Sequence, residues 1–215
     1  MAATDELLGP ILRDVSRAFY LTLRVLPAEV RSPIALAYLL ARTTDTIADT
    51  QLVPAEKRMQ KLQQFRARIR DEGAPPVDFT HLAREQDNEA ERALLQHSGE
   101  AIALLDKMEG ADRGQIQLVL ETITRGQELD LARFGDGRKL KALETADDLD
   151  DYTYRVAGCV GEFWTRLTRT HCFADAEIDE QHFVQNSIRL GKGLQLVNVL
   201  RDLSHDLANG RCYLP

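Results

Sequence analysis

Two stretches of this chain carry Asp-x-x-x-Asp just after an apolar run. The first is ARTTDTIADT (residues 41–50), directly after IALAYLLA (34–41), and the second is NVLRDLSHDL (198–207). On a helix, residues i and i+4 share a face. Tyr38, Arg42, Asp45 and Asp49 therefore form one stripe, and Gln195, Asn198, Asp202 and Asp206 form another. Like charges at this spacing cost a few tenths of a kcal/mol, and unpaired burial costs more. One isolated pair reads as solvent-exposed or salt-bridged. Two copies with arginines close by point to oxygen ligation of Mg²⁺, which takes one or two carboxylates, keeps several waters and shares phosphate oxygens. Two such pairs facing one another would let a diphosphate bridge the ions. Arg42, Arg201 and Arg211 would hold its remaining oxygens by charge-assisted hydrogen bonds. A di-iron bundle is the competing metal chemistry, but it requires Glu-x-x-His pairs, and the chain has none.

The elements that must position these residues read as helices. Apolar residues recur every three or four positions through 7–26, 34–47, 59–69, 94–108, 116–134, 152–167 and 183–207. Breaks are expected at Pro27, Pro33, 73–76, Gly110, 135–137 and Asn209-Gly210. Thr145-Ala-Asp-Asp148 has the hydroxyl and carboxylates of a helix start. No pair of alternating runs signals a hairpin. The expectation is all-α: a single domain over residues 1–215 with about seven or eight helices. The most polar segment, REQDNEAER (84–92), reads as a solvated helix face without chemistry.

Composition narrows the function classes. A net charge of −7, from 27 basic and 34 acidic residues, argues against a nucleic-acid partner. Three cysteines without a C-x-x-C pair suit a reducing cytoplasm. The start, MAATDELLGP, lacks signal-peptide regions, and no apolar run approaches the ~20 residues of a spanning helix. The expected protein is soluble and cytoplasmic, with no transmembrane segment, and peripheral contact with a membrane surface stays open to it.

Glycines inside helical runs add a second clue. Gly158 and Gly161 lie in YTYRVAGCVGEFW, and Gly191 and Gly193 lie in RLGKGLQLVN. Each costs about 0.8–1 kcal/mol relative to alanine. Close helix packing explains such a glycine, and at Gly161 an apolar ligand against the helix explains it equally well. An apolar cavity with a Mg²⁺-diphosphate mouth would suit a prenyl diphosphate.

The chain resembles the squalene/phytoene synthase family of head-to-head prenyl synthases, in its bacterial squalene synthase branch. The likeness rests on four ordered segments: VSRAFY (15–20), RTTDTIAD (42–49), YTYRVAGCVG (152–161), and QLVNVLRDLSHD (195–206) followed by GRCYLP (210–215). One departure is Ala18, where the family has serine. The resemblance implies an isoprenoid-synthase-type helical bundle around a central cavity, and condensation of two prenyl diphosphates as substrates. It implies Mg²⁺ at Asp45, Asp49, Asp202 and Asp206, and diphosphate at Ser16, Arg17, Arg42, Arg201 and Arg211. Phe19, Tyr38, Val156, Val160, Leu194 and Gln195 would line the tail and reaction cavity. Asn198 would stand beside the second cluster, and Tyr152 next to the ionising carbon. Farnesyl diphosphate would give presqualene diphosphate and then squalene, with NADPH as hydride donor. No G-x-G-x-x-G follows a strand, so no Rossmann nicotinamide site is expected. The alternatives are a phytoene synthase acting on geranylgeranyl diphosphate and a non-catalytic helical binding module. The family continues beyond its Y-L-P with further helices, so the chain reads as C-terminally shortened.

Overall fold

The computed structural model describes residues 7–16, 18–108, 110–135, 137 and 139–215. A π-turn, Leu7–Ile11, leads into α1 (Leu12–Ser16), α2 (Ala18–Val25), α3 (Ala28–Asp49) and α4 (Ala55–Arg70). Then come α5 (Thr80–Arg84), α6 (Glu89–Gln96), α7 (Ser98–Lys107) and α8 (Gly110–Phe134). After β1 (Lys141–Ala142) follow α9 (Ala146–Thr153), a second π-turn (Tyr154–Gly158), α10 (Cys159–Cys172), α11 (Glu180–Arg201), α12 (Leu203–Ala208) and β2 (Arg211–Cys212). The all-α expectation is met, with one small addition. Lys141 and Ala142 pair in parallel with Arg211 and Cys212, a two-residue ladder too short to leave a periodic signal. Among the described residues no helix is long and apolar enough to cross a membrane.

The chain divides into two compact units, Met1–Thr124 and Arg125–Pro215, with the boundary inside α8. The first is organised around α3, which is buried on almost every side. Leu39, Leu40, Leu62, Phe65, Leu94 and Leu105 form its interior, each at 0–1% exposure. Burying each such side chain is worth about 1.5–3 kcal/mol. Phe65 meets Phe79 edge-on, with ring centroids 5.4 Å apart. α3 also buries Thr43, Thr44 and Thr46. The Thr43 and Thr44 hydroxyls donate to the Leu39 and Ala41 carbonyls of their own helix, which meets their polar demand inside the core.

The second unit is built on the antiparallel-spaced pair α10 and α11 and on a cluster of Phe134, Leu143, Tyr152, Val199 and Tyr213. α9 starts as expected: the Thr145 hydroxyl accepts from the Asp148 amide and the Asp148 carboxylate returns the bond to the Thr145 amide. The glycines of this unit are mostly packing devices. A Cβ on Gly161 would collide with the Ser187 carbonyl, and one on Gly191 with the Ala157 carbonyl. Gly161 thus lets backbone meet backbone, and the ligand explanation offered for it is set aside.

Four other expectations are corrected. Pro33 does not break the chain but lies inside α3, near its start, where the one lost bond falls at exposed Glu29. The run 94–108 is two helices that change direction at His97. The run 183–207 is likewise not one helix: α11 ends at Arg201 and Asp202 adopts φ −94°, ψ 4° before α12 begins. The polar segment 84–92 is not merely solvated. Asn88 caps α6 by accepting from the Ala90 and Glu91 amides, Arg92 donates to the Gln86 carbonyl, and Glu91 is largely buried in an ion pair.

Candidate active site

The last two turns of α3 carry the first aspartate pair. Asp49 is exposed and the Asp45 side chain keeps 45% of its surface. Arg42, one turn earlier, lies 3.9 Å from Asp45 and forms a close ion pair with Glu91, whose side chain is only 16% exposed. Burial pulls the Arg42 guanidinium down, but Glu91 and Asp45 more than offset it, so the cation stays above its ordinary value. The Arg42 Nε–H is buried with no hydrogen-bond acceptor. A donor held this way beside two solvent-facing carboxylates suits a cation and an anion arriving together. Two hard oxygen donors one turn apart fit Mg²⁺, which completes its shell with water and phosphate oxygens. No group of three or more acidic, His or Cys residues forms a closed cage among the described residues.

Tyr38 stands at the other end of this stripe. Its ring lies 4.8 Å from that of Phe19 on α2, tilted by 36°, and its hydroxyl points toward the Val15 carbonyl at 3.4 Å. Ser16 is buried, with its hydroxyl donating to the Leu12 carbonyl of its own helix. Arg17 lies outside the described residues.

In the second unit a chain of hydrogen bonds joins four elements. Gln195 on α11 donates to the Tyr152 hydroxyl at 3.2 Å, and Asn198 donates to Gln195 at 3.2 Å. Tyr152 stacks on Tyr213 with centroids 4.2 Å apart, and the Tyr213 hydroxyl donates to Asp130 on α8 at 2.9 Å. Burial first, and then the Asp130 charge, push both phenols well above the ordinary tyrosine value. Asp206 contributes to the field at Tyr152 in the same direction. Val156 packs against this cluster, while Val160 is half-buried on α10. Leu194 is different: it is 59% exposed on α11, on one face with Leu190, Val197 and Leu200.

Asp202 sits at the bend between α11 and α12, and Arg201 grips it through two hydrogen bonds of 2.8 and 2.6 Å. That contact holds the Asp202 carboxyl below the usual range. The i+4 spacing to Asp206 survives, because the Asp206 amide still donates to the Asp202 carbonyl at 2.9 Å. Arg211 is half-buried on β2 and lies close enough to act on the Tyr213 phenol.

Sequence reasoning thus missed Glu91, Asp130 and the role of Tyr213. Glu91 was hidden in a charge-rich segment whose composition looks solvated. Asp130 is a single acid in an amphipathic helix, and nothing local marks its partner 83 residues later.

The comparisons bear on the same residues. The family model for squalene/phytoene synthase matches residues 12–215. The squalene synthase of Gibberella zeae is 30% identical over 206 residues, covering 95% of this chain and 42% of that protein. The squalene synthase of Mus musculus is 29% identical over 204 residues, covering 95% and 45%. A solved complex of TcSQS with the ligand E5700 superposes with a TM-score of 0.74 at 26% identity, covering 95% of this chain and 56% of that one. A second TcSQS complex, with BPH1237, gives 0.75 at 24% identity over 99% and 58%, a likeness of fold. The chain spans less than half the length of these curated relatives. It belongs to the squalene/phytoene synthase family.

Proposed function

We propose that this chain takes part in Mg²⁺-dependent head-to-head condensation of two prenyl diphosphates, converting farnesyl diphosphate to presqualene diphosphate and then to squalene. The observation that carries this reading is the Tyr152–Gln195–Asn198 chain of hydrogen bonds, built from residues of two of the motifs in one family. Mg²⁺ when bound would neutralise the leaving diphosphate and so ease allylic C–O cleavage. Asp45 and Asp49 would hold one ion, and Asp202 and Asp206 would hold ions on the second motif. Arg42, Arg201, Arg211, Ser16 and Arg17 would bind diphosphate oxygens; Arg201 would exchange Asp202 for phosphate. Phe19, Tyr38, Val156, Val160 and Leu194 would shelter the tails and the carbocation from water.

Tyr152 has the environment for proton handling. Its phenol stays protonated at neutral pH, and Gln195 and Asn198 fix its orientation. In the first step one diphosphate and one proton leave, and a cyclopropylcarbinyl diphosphate forms. In the second, the remaining diphosphate would leave and the resulting carbocation would accept a hydride, the chemistry that NADPH would supply when bound. Contact with a membrane surface would let the apolar product depart.

One observation favours a second reading, prenyl diphosphate binding without turnover. The face of α11 carrying Leu190, Leu194, Val197 and Leu200 is open, so a bound tail would meet water there.

The test supplies farnesyl diphosphate and Mg²⁺ with and without NADPH and identifies the extracted lipids by mass. Squalene formed only with NADPH is the expected result. A C40 hydrocarbon from geranylgeranyl diphosphate, indifferent to NADPH, would assign phytoene synthesis instead. Tight farnesyl diphosphate binding with no product would establish the binding module.

A further inference from the structure

A helix leaves its last four carbonyls without intrahelical partners. For α3 these are Thr46, Ile47, Ala48 and Asp49, in the turn between the two aspartates. Two of the four are met by side chains. The Thr50 hydroxyl donates to the Thr46 carbonyl at 2.6 Å, and itself accepts from Gln86 at 3.3 Å. Arg58, on the following helix α4, sends Nη1 to the Ala48 carbonyl and Nε to the Val53 carbonyl, the latter at 2.9 Å. Arg58 is 4% exposed.

A buried guanidinium is an expensive way to cap a helix, since its charge loses solvation. A hydroxyl or a glycine would satisfy a carbonyl more cheaply. What a guanidinium adds is a rigid fork and a positive charge at the negative end of the helix dipole. Its fork spans Ala48 at the helix end and Val53 in the loop, so it fixes the last turn against the start of α4. That turn carries Asp49, and Asp45 is one turn back. Two carboxylates and a helix C-terminus repel one another, and the buried cation offsets that field from beneath.

We propose that Arg58, assisted by Thr50, is a positioning residue for the α3 aspartates, holding the last turn in the geometry that binds a divalent cation. The inference rests on the reading of Asp45 and Asp49 as metal ligands. Groups that orient metal ligands from behind are worth about 10–100-fold in affinity.

The experiment measures Mn²⁺ binding by electron paramagnetic resonance, amide hydrogen exchange over residues 45–53, and the melting temperature. The variants are Arg58→Lys, Thr50→Val and Asp45→Asn. Lysine keeps the stem and charge of Arg58 but cannot reach both carbonyls. Arg58→Lys is expected to weaken Mn²⁺ binding about tenfold and to speed exchange in 45–53, with the rest of the fold protected as before. Thr50→Val, which holds the volume, shifts both readouts in the same direction and decides the matter if Arg58→Lys does not fold. A variant that melts earlier yet binds Mn²⁺ as tightly as the parent overturns the proposal, because Arg58 is then a stability residue only. If Asp45→Asn itself binds Mn²⁺ unchanged, the metal reading of α3 falls and takes the proposal with it.

Discussion

The two aspartate pairs share a spacing but not a construction. At the end of α3 the helix runs unbroken to Asp49, the Thr43 and Thr44 hydroxyls donate to carbonyls of their own helix, and Arg58 and Thr50 cap its last turn. Both carboxylates reach solvent, and Arg42 is steadied first by Glu91 and then by Asp45. At the end of α11 the helix breaks at Asp202, and that carboxylate, 45% exposed like Asp45, is paired with its neighbour Arg201. Order there lies deeper, in the Tyr152, Tyr213, Gln195 and Asp130 network. The first pair closes an unbroken helix capped by side chains, whereas the second straddles a helix break and carries an ion pair between chain neighbours. The same spacing can thus sit at a capped helix end in one place and across a helix break in another.

The sharpest way to break this comparison is Asp45→Asn. Removing one charge from the α3 pair is expected to lower kcat by about 10²–10³-fold, with the helical circular dichroism unchanged. A wild-type kcat at saturating Mg²⁺ would remove Asp45 from the site.

Tyr152→Phe tests the deeper network. The phenol is expected to act in ionisation or proton handling, so kcat should fall about 100-fold while KM stays nearly constant. If product forms at the parental rate, Tyr152 only packs against Tyr213.

The same tyrosines make the second unit sensitive to alkali. Burial and then Asp130 raise both phenols in the fold above their unfolded value of about 10. Their contribution is fully present below about pH 10 and is lost as pH rises from there through the folded values. The loss approaches about 1.4 kcal/mol per pH unit for each tyrosine. Melting curves at pH 9 and pH 11 should show it, and Tyr213→Phe should reduce the slope. An unchanged slope would mean that these phenols ionise freely in the fold.

The unbroken end of α3 was more legible in the sequence than the broken end of α11. Asp45 and Asp49 are placed by local periodicity alone, and the Thr145 box likewise needs only neighbours in the chain. The bend at Asp202 left no such trace, since Asn198, Asp202 and Asp206 keep their i+4 bonds on either side of it. Glu91, Arg58 and Asp130 take partners 49, 10 and 83 residues away. Those choices are made by tertiary packing, and a charge-rich or amphipathic segment does not announce them. Pro33 was misread because a proline near a helix start loses only one bond, and at Glu29 the freed carbonyl is on an exposed residue.

The α10–α11 contact offers a mid-sized test. Gly161→Ala would drive a Cβ into the Ser187 carbonyl, and forced overpacking costs about 1–3 kcal/mol. Part of that is returned by the better helix propensity of alanine. A lower melting temperature is expected, together with a weaker Gln195–Tyr152 contact and lower activity, because α11 moves relative to α9. A melting temperature at or above the parental value would show that the helices separate without strain.

Gly193→Ala should have the smallest effect on stability, and of the opposite sign. Nothing lies within 4 Å of a Cβ at this position. Packing therefore does not explain the glycine, and alanine should add about 0.8–1 kcal/mol. Gly193 shares its helical face with Leu190, Leu194 and Val197, all of them exposed. If a prenyl tail lies along that face, the added methyl would narrow the approach, and KM for farnesyl diphosphate should rise while the protein melts later. That opposition between stability and affinity separates a surface kept clear for a ligand from one that is simply bare. A variant that is more stable and binds farnesyl diphosphate as before would leave the second site with no tail contact on α11, and would make Leu194 an ordinary exposed leucine.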